Sequence, residues 1–99
     1  MKAKLFRKLK VFGKIIPVFK VQGLIEQGAY GYYSEEFEQI GVDAALKGET
    51  LEHTVIHELF HAVLDRLHCQ QQMSPEFVEV VVENLSASVI DNFKVRFRK

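Results

Sequence analysis

The spacing of apolar residues changes in the middle of this chain, and the change confines it to a fold in which a sheet precedes helices. Through residues 5–42 the apolar residues fall in short runs broken by glycine, proline and polar turns, the pattern of strands. Residues 9–12 and 15–21 flank Gly13-Lys14, a tight-turn dipeptide, and read as a hairpin. Pro17 has no N–H to donate, so the second of these runs is expected at an edge or a bulge. A glycine-rich bend over 23–31 runs into the aromatic cluster Tyr30, Tyr32 and Tyr33, and Ser34-Glu35-Glu36 makes a polar turn. Phe37 and residues 39–42 form a further strand, with Ile40 and Val42 on one face. Residues 1–42 thus read mainly as a small antiparallel sheet of three to four strands, although the lysines and leucines of 2–10 also suit a helix.

From residue 50 the apolar spacing is helical. A helix over 50–68 takes Thr50 as its cap and buries Ile56, Phe60, Val63, Leu64 and Leu67. The polar run 70–73 links it to a second helix over 74–95. Ser74-Pro75-Glu76 starts that helix with a capping hydroxyl, a proline that needs no N–H partner, and an acid in the first turn. Its buried stripe is expected to be Val78, Val81, Val82, Leu85, Val89 and Phe93. The predicted fold is α+β: one domain of 99 residues, a small sheet followed by two packed helices.

The formal net charge is zero, but the charges are segregated. Lys2, Lys4, Arg7, Lys8, Lys10, Lys14 and Lys20 precede every acid, and Lys94, Arg96, Arg98 and Lys99 follow the last one. Such runs read as solvated faces, and the later one complements the negative end of a helix dipole. No nucleic-acid signature accompanies them, and no apolar run has the length of a membrane span. Cys69 is the single cysteine, which allows no internal disulfide and fits a reducing compartment; with no signal-like segment, the cytoplasm is the expected location.

Residues 57–61 spell H-E-x-x-H. On a helix, His57 and His61 lie one turn apart on one face, and both imidazoles can reach one metal ion. Glu58 is rotated about 100° from His57, placing its carboxylate beside the ion rather than on it. That is the arrangement for taking a proton from a water activated by the metal. Both histidines fall at the margin of the apolar stripe.

Two histidines need a third protein ligand, with a fourth position left to water. Cys69 lies just past the end of the helix and well around it from His57, while His53 and His68 share the motif's stripe without the geometry to converge on its ion. Acids early in the second helix are better placed if the helices pack antiparallel. Of Glu76, Glu79 and Glu83, Glu79 falls nearest the apolar stripe on a helical wheel, with Glu83 next. Zinc is the expected ion, although two histidines and a carboxylate also suit iron.

Residues 57–65, H-E-L-F-H-A-V-L-D, resemble the active-site helix of the gluzincins, zinc peptidases whose third ligand is a glutamate on the following helix. The strands before the motif and the run 79–84, E-V-V-V-E-N, are further similar to compact phage-type metallopeptidases related to the minigluzincins and the ImmA/IrrE group. The similarity spans about residues 29–93. It implies zinc held by His57, His61 and Glu79, with Glu58 as general base in peptide hydrolysis. It also implies that Glu83 or Asn84 supports a histidine, and that the strand at 37–42 is an edge on which a peptide or protein substrate pairs. Larger members use a carboxy-terminal domain to stabilise the oxyanion. Here Tyr30, Tyr32, Tyr33 and His68 are the candidates for that role. The competing expectation is a regulatory or adaptor module of the same fold that binds zinc without turnover.

Overall fold

The computed structural model describes residues 3–93. Four strands, β1 (Ala3–Val11), β2 (Lys14–Val21), β3 (Gly31–Ser34) and β4 (Gln39–Asp43), precede two helices, α1 (Gly48–Arg66) and α2 (Pro75–Asn92). The basic residues Lys2, Lys94, Arg96, Arg98 and Lys99, and the expected end of the second helix at 95, lie outside the described residues. Among the described residues no helix is long and apolar enough to cross a membrane.

The sheet is open and four-stranded, in the order β1-β2-β4-β3. The hairpin β1–β2 turns at Phe12 and Gly13, both with positive φ, and the glycine takes that conformation without strain. β3 and β4 also pair antiparallel, but β2 and β4 run parallel, so the sheet is mixed rather than wholly antiparallel. A parallel pairing needs a long crossover. Residues 22–38 provide it, through a 3₁₀ turn at Ile25–Gln27 and strand β3. β2 is an interior strand rather than the expected edge. Pro17, paired with Lys8, is accommodated because β4 pairs only with Val18 to Val21, leaving one flank of the proline open; the ladder irregularity, between Leu5 and Arg7, faces Val18 and Phe19 instead.

Asp43 fastens the crossover. Its buried carboxylate accepts the N–H of Ile25 at 2.8 Å and that of Ala45 at 2.7 Å, tying the 3₁₀ turn to the start of the connection into α1. These backbone donors hold its pKa below the usual carboxylate value.

One face of the sheet packs on α1 through Val11, Ile16, Val18, Ile40 and Val42, which meet Leu46, Val55 and Ala62. α1 starts two residues before the expected cap. Lys47 is extended and Gly48 has φ +60, so the turn into the helix is made there, and the Thr50 carbonyl instead accepts the Thr54 hydroxyl at 2.8 Å. The helix ends at Arg66, which leaves Leu67 exposed rather than in the core.

α2 starts where the sequence places it, with Ser74 Oγ accepting the Phe77 N–H at 3.1 Å and proline in the first turn. It packs mainly on α1, through Val78 and Val82 against Leu64, with Phe60, Met73 and Val81 around them. That contact buries only a narrow line, Val78, Val82 and Ser86, and Leu85 and Phe93 of the expected stripe stay exposed.

Candidate metal centre

Between the two helices runs a polar seam. α1 has one flank on the sheet and another on α2, and His53, His57 and His61 line the border between those flanks at one-turn intervals. α2 faces them with Glu79 and Glu83, also one turn apart. The helices are antiparallel here, so the acids meet the histidines in descending order.

The Glu79 carboxylate spans the motif pair. Its Oε1 lies 2.9 Å from His61 Nε2 and its Oε2 lies 3.3 Å from His57 Nε2. The two imidazole centroids are 5.2 Å apart. One donor atom from each of His57, His61 and Glu79 lies within 4.8 Å of the others. Two imidazoles and a carboxylate are a donor set suited to zinc or iron, and the largely exposed Glu79 leaves a side open to water.

Glu83 holds the other side of His57. Its Oε2 lies 3.0 Å from His57 Nδ1 and its Oε1 lies 3.0 Å from His53 Nε2. With the proton on Nδ1 donated to Glu83, His57 presents a lone pair at Nε2. Both acids therefore touch His57, Glu79 together with His61 and Glu83 together with His53. The Asn84 Nδ2 donates to the Val80 carbonyl of its own helix at 2.8 Å.

His53 does not join His57 and His61 at the motif, as expected, but it meets His57 through Glu83. Spacing along α1 already put His53 on the right face, and what it lacked was the register of α2. Cys69 packs at the Leu64 cluster beyond the helix end, His68 is exposed just past that end, and Glu76 is exposed in the first turn of α2, so none reaches the seam.

Glu58 is buried between the two histidines in sequence and turns toward the sheet. Burial raises its pKa; His57 and His61 pull it down, and the Glu79 carboxylate pushes it up again. A base whose pKa is raised from the usual carboxylate range is better matched to proton transfer near neutral pH. Gly31 permits this packing. A Cβ there would sit 2.8 Å from both the Gly41 carbonyl oxygen and Thr54 Cγ2, and 3.5 Å from Glu58 Cγ. β3 can therefore lie against α1 at Glu58 only with glycine at that position.

A cleft of about 850 Å³ runs from Ala29 and Tyr30 past His53 and His57, and a second of about 290 Å³ opens toward Tyr32, Tyr33 and His61. Gly31, Glu58 and Glu79 line both, so the carboxylates stand where the two meet. The strand along this groove is β3. The expected edge at 37–42 corresponds to β4, which is paired on both sides and has no open edge. The edge is β3, at one end of the strand order. The Asp43 N–H donates to the Tyr30 carbonyl at 2.8 Å, fixing the ladder phase. By the alternation of antiparallel pairing, Gly31 and Tyr33 then turn their backbone N–H and C=O groups outward.

Of the oxyanion candidates, Tyr33 is committed elsewhere. Its hydroxyl donates to Asp65 Oδ2 at 2.7 Å, and burial together with that carboxylate keeps it protonated far above its ordinary pKa. Tyr32 lays its ring over Gly41, whose missing side chain makes the room. Tyr30 lines the larger cleft and is exposed. No protein-family model, no curated protein and no solved structure matches this chain.

Proposed function

We propose that this chain is a zinc-dependent peptidase. The observation that carries the reading is the placement of the Glu79 carboxylate across the Nε2 atoms of His57 and His61, with Glu58 buried beside them where the two clefts join. His57, His61 and Glu79 would hold the ion. Zinc bound there supplies Lewis-acid chemistry, polarising a carbonyl and acidifying water toward a pKa of about 7. Glu58 accepts the proton of the attacking water and returns it to the leaving amine. Glu83 holds the Nδ1 proton of His57 and so fixes which ring nitrogen faces the ion. An extended substrate adds to β3, its backbone pairing with the outward groups of Gly31 and Tyr33 and its scissile bond above Glu58. The single cysteine is consistent with a reducing compartment such as the cytoplasm.

The test is a pair of measurements on Glu58→Gln. Zinc content per chain should equal that of the unmodified protein, while turnover of a casein or peptide-library substrate falls by at least a hundredfold, the low end for a general base. A chain that takes up no zinc sinks the reading. The commitment of Tyr33 to Asp65 favours a second one, a zinc-holding regulatory or adaptor module without turnover. Zinc uptake with no hydrolysis of any substrate selects that module.

A further inference from the structure

We propose that the same seam carries a second divalent-cation site, built by His53, His57 and Glu83. One donor atom from each of these residues lies within 4.8 Å of the others, the same closeness that marks His57, His61 and Glu79. The Glu83 carboxylate reaches His53 Nε2 and His57 Nδ1 at 3.0 Å each, as the Glu79 carboxylate reaches the neighbouring pair at 2.9 and 3.3 Å. The two sets are one motif repeated. Histidines at 53, 57 and 61 and glutamates at 79 and 83 are each spaced four apart, and two helices in antiparallel contact repeat their facing geometry every turn. Shifting the first set by one turn toward the start of α1 and the end of α2 generates the second.

The fold does not account for His53 or Glu83. Neither belongs to an apolar cluster, and both line the larger cleft. Two imidazoles and one carboxylate select a first-row divalent ion such as zinc over calcium or magnesium, which prefer all-oxygen shells.

His57 belongs to both sets through opposite ring nitrogens. Holding one ion at Nε2 leaves a proton on Nδ1, donated to Glu83. A second ion at Nδ1 requires that proton to leave to solvent, converting the ring to a bridging imidazolate. The second ion is therefore held more weakly than the first, and its uptake releases a proton. This site does not depend on peptide hydrolysis.

Equilibrium dialysis of the metal-free full chain against Zn²⁺ alone, with zinc counted per chain as free zinc rises, tests the proposal. The unmodified chain should take two ions, the second at least tenfold more weakly. His53→Ala should take one, Glu79→Gln should keep one, and the double variant none. Should His53→Ala fail to fold, His53→Gln replaces it, and the His53 ring ¹⁵N resonances of the unmodified chain should shift only with the second equivalent. Saturation at one ion that is lost in Glu79→Gln overturns this proposal and leaves the peptidase reading intact. Two ions still bound by His53→Ala also overturns it. No zinc bound at all overturns both.

Discussion

Glu83 shows how a side chain outside the expected ligand set governs it. Its carboxylate lies on His57 Nδ1, and with an ion at Nε2 it would accept the Nδ1 proton and hold the ring in the ligating tautomer. Glu83→Ala should therefore weaken zinc binding at the motif by about 10- to 100-fold, or about 1.4–2.8 kcal/mol, read by competition with a chelating dye. Tyr33→Phe is the contrasting change. It removes one hydrogen bond to Asp65 and should cost about 1 kcal/mol in a denaturant melt, with zinc content unchanged. At this scale the meeting of His57, His61 and Glu79 was legible in the sequence, because one helix period sets the two histidines on one face of α1 and one wheel position sets Glu79 at the inner margin of α2. His53 was not. Its partner sits on another helix, and only the sliding register of α2 against α1 brings the two together.

Single strands and helices carry the next set of consequences. Asp43 ties the crossover to β4 as an ionised carboxylate with its pKa held below the ordinary 3.8. Its stabilisation is fully present above that ordinary value and is lost as pH falls through the lower, folded one. Asp43→Asn should lower the melting temperature at neutral pH and flatten the acid limb of a plot of melting temperature against pH. Gly31→Ala would press a methyl group on the Gly41 carbonyl and on Thr54, at a cost of about 1–3 kcal/mol. Because β3 would have to lift off Glu58, turnover should fall more than stability predicts, as kcat measured well below the melting temperature would show. The hairpin, both helices and the Ser74 cap could be read from the chain. The identity of the edge strand could not, since pairing order is decided between elements and a strand at 39–43 looks the same at an edge as in the middle. The parallel β2–β4 pairing was hidden for the same reason.

At the scale of the whole molecule, the donors are divided between two helices that meet at a small apolar contact, Leu64, Val78 and Val82. Val82→Ala should destabilise the fold by about 1–3 kcal/mol and weaken zinc uptake with it, because Glu79 and Glu83 ride on the helix it loosens. The reverse coupling follows. Zinc at a hundredfold excess over its Kd should add about 2.7 kcal/mol to stability, and the rise in melting temperature should vanish in a His57→Ala/His61→Ala chain. The order sheet-then-helices was legible at this level from the apolar spacing, whereas which face each helix covers emerged only from packing. β3 is four residues long, and strand residues advance about 3.3 Å each, so it spans only about 13 Å. A guest that zips onto so brief a rim must arrive already stretched over that length, with its own backbone groups uncommitted. Under the proposed peptidase reading, frayed tails, nicked loops and polypeptides in the course of unravelling would meet that demand, and a well-packed globule would not.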